Sequence, residues 1–155
     1  MISQSALVVE TAQRKHEPNV QQAVPFFMVS SMEASLRFYV EGLGFTRTNQ
    51  WIVADKIRWC WLQLGGAAMM LQEYNSNSPL RNEKLGSGVS VCFQCRDAIA
   101  IYHETRARSL EPHRPFVGNG FWVTSFTDPD GYKLDFESPT TVPEETIYEE
   151  NASAP

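Results

Sequence analysis

Apolar and polar positions along the chain fall into two stretches with the same grammar. A short apolar run at 23–29 reads as a strand, and Ser30 with Glu33 three residues on can form a capping box. Ala34, Leu36, Phe38 and Tyr39 then supply the apolar side of a helix predicted over 31–41, which Gly42 ends. Strand-like runs follow at 46–53 and 57–64, the pair Gly65-Gly66 marks a hairpin turn, and 67–74 is the return strand.

After a polar loop at 75–86 the pattern repeats. Residues 89–95 alternate as a strand, Asp97 can cap a helix over 97–106 that carries Ala98, Ile101 and Tyr102, and a segment around 110–117 follows. A strand at 121–127, the turn Asp128-Pro129-Asp130-Gly131 and a last strand at 132–137 complete it. A repeat of about 55 residues is too long for a solenoid unit and fits two modules related by a pseudo-twofold axis. The predicted fold class is therefore α+β, with two βαβββ modules (23–74 and 87–138) forming curved mixed sheets around a shared cavity. The flanks, 1–20 and the acidic stretch 139–155, read as loosely held tails.

Composition narrows the function. The chain has 155 residues, of which 43% are hydrophobic and 20% charged, enough for one buried core. A net charge of −5 with no basic cluster argues against nucleic acid as a partner, because such binding needs a basic stripe to displace counterions. No apolar run approaches the roughly 18 residues of a membrane span, and the N-terminus lacks the arrangement of a secretory signal, so the expected location is cytoplasmic. Cys60, Cys92 and Cys95 are an odd number, which fits reduced thiols. Cys92 and Cys95 lie on one strand three residues apart and so point to opposite faces, which suits packing and not a shared metal or bond.

Three stretches carry a resemblance. They are Ser35-Leu36-Arg37-Phe38-Tyr39 followed by Gly42-Leu43-Gly44-Phe45; the opening of the second module, 89–97; and Phe126-Thr127-Asp128-Pro129-Asp130-Gly131-Tyr132-Lys133-Leu134. With them the chain resembles the glyoxalase / bleomycin-resistance / dioxygenase (vicinal oxygen chelate) superfamily over 23–138. The resemblance implies where a metal would sit, since metal-dependent members place one His or Glu ligand on the first and last strand of each module. Carried over by motif spacing, those positions are Val24, about Leu71, Ser90 and Asp135. One carboxylate and one hydroxyl do not make a transition-metal site, which normally needs three protein ligands. The histidines, His16, His103 and His113, fall in a tail, a helix and a connection. No cofactor is expected, and a divalent metal is the alternative.

Strand parity proposes a ligand wall. Asp135 and Glu137 share a face, while Leu134 and Phe136 take the helix-packed one. Ser90 inward brings Cys92 and Gln94, Val24 brings Phe26 and Met28, and Leu71 brings Met69 and Glu73. A two-residue turn at Gly65-Gly66 sets Cys60 opposite Leu71 and Arg58 opposite Glu73 and sends Trp59 and Trp61 to the helix side; a slip of one residue reverses this, and both remain open. The same logic around Pro129-Asp130 places Trp122 and Thr124 opposite Glu137 and Asp135. The candidate ligand-binding residues are thus Asp135, Glu137, Trp122, Ser90 and Glu73, a flat apolar wall with a negative end that suits an aromatic or planar cation. The plainer alternatives are a packed tryptophan and two carboxylates at a strand end.

Two functions follow from the resemblance. One is a metal-free small-molecule-binding protein like the bleomycin-resistance proteins, holding its ligand in clefts between the subunits of a homodimer. The other is a glyoxalase-like lyase, isomerase or dioxygenase that has an altered ligand set or works through Asp135, Glu137 or Glu73 alone. No residue is singled out as catalytic. A cavity serving only as a dimer core is the third possibility.

Overall fold

The computed structural model, which describes residues 18–150, contains both modules. The first is built of β1 (Phe26–Val29), α1 (Met32–Leu36), a wider π-helical turn (Arg37–Gly42), β2 (Thr46–Val53), β3 (Lys56–Leu64) and β4 (Ala67–Glu73). A single 3-10 turn, Pro79–Asn82, lies in the linking loop. The second module comprises β5 (Ser90–Gln94), α2 (Ala98–Ala107), β6 (Phe116–Gly118), β7 (Phe121–Thr127) and β8 (Lys133–Pro139).

Both sheets have the same strand order, β1-β4-β3-β2 and β5-β8-β7-β6. In each, the first strand lies parallel to the fourth and the other pairs are antiparallel. The repeated grammar thus produces two mixed sheets of one topology. The expected helices are both present. Asp97 caps α2 by accepting from the Ala100 N–H at 2.9 Å. The cap of α1 is Ser31, one residue later than the Ser30 of the expected capping box, and its Oγ accepts from the Ala34 N–H at 3.2 Å. Glu33 reaches Arg37 and not back to the chain start.

One core serves both modules. Phe27, Val29, Cys60, Leu62, Met69 and Leu71 of the first sheet lie on the side of α1, and Phe93, Phe126, Leu134 and Phe136 of the second belong to the same buried cluster. The helical segment of the first module joins the sheets: Phe45 meets Phe93 edge-on at 5.9 Å, and Phe38 meets Phe126 at 6.5 Å. Phe27 stacks on Tyr132 at 4.0 Å. The sheets therefore meet through the faces that carry the helices, their other faces are turned outward, and no barrel closes among the described residues. Among the described residues no helix is long and apolar enough to cross a membrane.

The C-terminal stretch departs from the expected tail. β8 runs on to Pro139, and residues beyond it pack back on the second module. The Val117 N–H donates to the Thr146 carbonyl, the Tyr148 N–H to the Pro115 carbonyl, both at 2.8 Å, and Ile147 bridges Phe116. The Glu144 carboxylate accepts from the N–H groups of Asn119 and Gly120 at the β6–β7 turn. This strap covers the edge strand β6, whose backbone groups would otherwise face solvent unpaired. Tyr148 lies edge-on to Trp122 at 6.0 Å and to Tyr102 at 5.9 Å. Tyr148→Ala should lower stability by about 1 to 2 kcal/mol, about 3 to 6 °C in the unfolding midpoint. An unchanged midpoint in a thermal melt would mean the strap adds nothing. Residues 1–17, with the apolar patch 6–9 and His16, and residues 151–155 lie outside the described residues.

Candidate functional site

Each sheet leaves one face uncovered, and pairing decides what that face carries, because partners across adjacent strands share a face. In the first sheet Phe26 pairs with Met70 and Met28 with Gln72. Across β3, Trp61 pairs with Met70 and Trp59 with Gln72, and Trp51 of β2 pairs with Trp59. Phe26, Met28, Trp51, Trp59, Trp61 and Met70 therefore stand on one face. That face is the open one: Phe26 is 49% and Trp51 57% exposed, whereas Cys60, Leu62, Met69 and Leu71 opposite are fully buried. Cys60 Sγ lies 3.8 Å from Met32 Sδ of α1, which marks the helix side.

The Gly65-Gly66 turn has two residues, and Cys60 does pair with Leu71. The tryptophans nevertheless face outward, because Leu71 sits on the helix side. The expectation that Leu71, Met69 and Glu73 share a face with Phe26 and Met28 is corrected by the parallel pairing, which sets Phe26 beside Met70 and shifts the strand by one residue. Glu73 accordingly stands apart from the other candidates. Its carboxylate pairs with Arg58 at 2.5 Å and accepts from the Met32 N–H at 2.8 Å, holding the first turn of α1 against the sheet.

The second sheet holds three of the five candidates together. Asp135 accepts from Ser90 Oγ at 2.9 Å and from Ser125 Oγ at 2.6 Å, and Glu137 accepts from Gln94 Nε2 at 2.7 Å. Ser90, Cys92 and Gln94 of β5 lie beside them on the same exposed face. Partial desolvation on that face and the neighbouring Glu137 carboxylate push the Cys92 thiol up, so it stays protonated at neutral pH. Cys95 points the other way, as its spacing from Cys92 requires, with its Sγ toward the Glu137 carbonyl at 3.4 Å.

Trp122 and Thr124 lie on the opposite face from that expected. Trp122 pairs with Ser138 and Thr124 with Phe136, while Asp135 pairs with Ser125. The turn explains the shift. The Asp128 N–H donates to the Tyr132 carbonyl at 2.9 Å, which leaves the three-residue loop Pro129-Asp130-Gly131, with Gly131 at φ +98°. A loop of three residues moves the register by one relative to a loop of two and exchanges the faces of every residue on β7. Thr124 Oγ1 donates to the Ala98 carbonyl at 2.7 Å under α2, and Trp122 packs on Tyr148.

His113, expected in a connection away from the strands, lies near Asp135. Its N–H donates to the Ser125 carbonyl at 2.9 Å, and with Ser90, Phe116, Ser125 and Asp135 it lines a hollow of about 450 Å³. Nothing local marks it, since only the docking of the α2–β6 connection on β7 brings it there.

Among the described residues, the four positions carried over do not form a ligand set for a divalent transition metal. Ser90 and Asp135 are adjacent, but Leu71 faces α1, its open-face neighbours are Met70 and Gln72, and both Asp135 oxygens already accept serine hydroxyls. Among the described residues no three His, Cys, Asp or Glu side chains come together as a ligand set. Such a set would be needed for stable coordination.

Comparison with known proteins gives the fold a lineage. The family model described as Glyoxalase/Bleomycin resistance protein/Dioxygenase superfamily matches residues 21–136. A bleomycin-binding protein solved with bleomycin is 21% identical, with 77% of this chain and 98% of that one covered and a TM-score of 0.60. TnmS3, an antibiotic-binding protein from Streptomyces sp. CB03234, is 20% identical over 80% of this chain and 100% of its own, with a TM-score of 0.60. A bleomycin resistance determinant encoded on the transposon Tn5 is 22% identical over 77% and 98%, with a TM-score of 0.59. These likenesses concern the fold. No curated protein matches the chain.

Proposed function

From the premise that the chain belongs to the glyoxalase/bleomycin resistance protein/dioxygenase superfamily, we propose that it binds a small planar cation without a metal. The site is a cleft between two copies of the chain. One wall is the open face of the first sheet in one protomer, and the other is the open face of the second sheet in its partner.

The observation that carries this reading is the complementarity of the two faces. The first presents Phe26, Met28, Trp51, Trp59 and Trp61, and the second Ser90, Gln94, Asp135 and Glu137, with Lys133 beside Ser90. Brought together, they offer an aromatic platform on one side and two carboxylates on the other. A planar cation gains ring contact from the first and charge-assisted hydrogen bonds from the second. The bleomycin-binding and antibiotic-binding relatives of the same fold support a binding role over catalysis.

Proflavine, a planar cation, is a direct probe. It should quench the tryptophan fluorescence of the wild type, and Asp135→Asn should weaken it about tenfold, because the charge is lost at nearly constant shape. Raising the salt concentration should narrow that difference. Equal affinity for the two proteins would remove Asp135 from the site. Stoichiometric zinc, iron, manganese or nickel in protein purified without a metal-affinity tag would overturn the metal-free part and favour an enzyme.

A further inference from the structure

A second cavity, of about 610 Å³, lies away from the tryptophan face, between the tip of the β3–β4 hairpin and α2. That volume is in the range of small-molecule sites. One wall is Leu64-Gly65-Gly66-Ala67, and the other is Ile101, Thr105 and Arg108. Phe93 and Phe136, stacked at 4.8 Å, form the floor. A Cβ placed at Gly65 or Gly66 would meet no atom within 4 Å, so the hairpin tip leaves the slot unfilled.

The polar groups along the slot are mostly committed elsewhere. Thr105 Oγ1 donates to the Ile101 carbonyl at 2.7 Å, and the Cys95 thiol is turned to the Glu137 carbonyl. Glu104 also lines the slot, and Arg108 beside it is loosely held. Its Nη2 stands 3.9 Å from the Glu104 carboxylate, too far for a hydrogen bond, and its Nη1 reaches the Gly42 carbonyl only at 3.5 Å. A guanidinium with donors to spare at the end of an apolar slot matches a planar carboxylate, which it can hold by two parallel hydrogen bonds.

We infer that this slot is a binding site for a small apolar monocarboxylate, its hydrocarbon body over Phe93 and Phe136 and its carboxylate on Arg108. The site adjoins the second-sheet wall of the cleft at Cys92 and Gln94 of the edge strand β5 and shares neither its tryptophans nor its carboxylates.

Calorimetric titration of the full chain with 4-phenylbutyrate tests it, with 4-phenylbutyramide and 4-phenylbutylamine as the neutral and cationic controls. The acid should bind and the amide and amine should bind at least about tenfold more weakly. Arg108→Gln should weaken the acid about tenfold, and Glu104→Gln, which removes a competing anion, should tighten it about twofold. Ile101→Trp should abolish binding by filling the slot. Saturating proflavine should leave the affinity for the acid unchanged. No measurable binding, an amide as tight as the acid, an Arg108→Gln protein that binds like the wild type, or competition by proflavine would each overturn the assignment. The Arg108 variant alters a half-exposed side chain at the end of a helix, so the test survives if the Ile101 variant fails to fold.

Discussion

Asp128→Ala should remove about 3 kcal/mol of stability, about 10 °C in the unfolding midpoint. Asp128 is 4% exposed, and its two oxygens serve three donors. The Tyr39 hydroxyl donates to Oδ2 at 2.8 Å, and the N–H groups of Asp130 and Tyr132 donate to Oδ1 at 2.9 Å each. Alanine leaves a buried hydroxyl and two turn amides without partners, and each costs desolvation with nothing in return. The turn it holds also joins the modules. Asp130 accepts from the Ser30 N–H at 3.0 Å, Tyr132 donates to the Met28 carbonyl at 3.0 Å, and its ring stacks on Phe27. Chemical denaturation at neutral pH measures the loss, and a change below about 1 kcal/mol would show that the turn closes without its carboxylate.

The companion Asp128→Asn keeps one acceptor for the two amides and should cost about half as much. It also separates charge from shape. Burial raises the Asp128 carboxyl above the ordinary aspartate range, against hydrogen bonds from Tyr39, Tyr132 and Asp130 that lower it. Burial raises the Tyr39 hydroxyl as well, so the phenol remains a donor. With the folded value above the unfolded one of about 3.9, the group contributes most below the unfolded value and loses that contribution as pH rises through the folded one. The stability of the wild type relative to Asp128→Asn should therefore fall as pH increases from about 3.9 through the raised value, then stay level. A gap that widens with pH would show that the hydrogen bonds to the ionised form outweigh burial.

The same turn marks where the sequence stops being readable. Local signals were enough for the strands, the Asp97 cap, the Gly65-Gly66 hairpin and the duplication, because each depends on residues within one element or one tight turn. Faces depend on register, and register depends on whether a loop holds two residues or three. Pro129-Asp130-Gly131 holds three because Asp128 ties down both Asp130 and Tyr132, and Trp122 moved to the helix side with that one residue. Likewise, nothing in the sequence of β1 shows that Phe26 pairs with Met70 and not with Leu71, which took Glu73 out of the candidate wall and put the tryptophans into it. Asp135, Glu137 and Ser90 kept their face because their grouping rests on alternation within single strands and one parallel pair. Residues 139–155 read as a tail since a stretch of Pro, Thr and Glu has no periodicity. The place of 140–150 is fixed by long-range hydrogen bonds to β6 and the β6–β7 turn.

Trp61→Glu should convert the proposed dimer into a monomer while leaving the fold intact, raising the dissociation constant at least about 100-fold. The open face of the first sheet gathers Phe26, Trp51, Trp59 and Trp61, with Ile52 and Val53 of β2 exposed nearby at 49% and 42%. Monomeric proteins rarely leave an apolar patch of that kind to water, and a face rimmed by polar residues is the form an interface takes. Trp61 is a sensitive probe because it lies on β3 beside Met70 of the central strand β4, inward of the edge strand β2. A glutamate there would be buried against a wall whose carboxylates, Asp135 and Glu137, outnumber its lysine, Lys133. The core does not depend on it: Cys60 and Leu62 on either side turn the other way into the α1 side and are fully buried. Trp122→Ala is the contrast. It should lower the unfolding midpoint through Tyr148 and leave association unchanged, because that ring packs under the strap. Sedimentation velocity at about 10 μM should show the wild type and Trp122→Ala at twice the chain mass and Trp61→Glu at one, with matching far-ultraviolet spectra for all three. A wild-type protein that sediments as a monomer, or a Trp61→Glu protein that remains a dimer, would leave the tryptophan face without a partner chain and would remove the two-walled cleft.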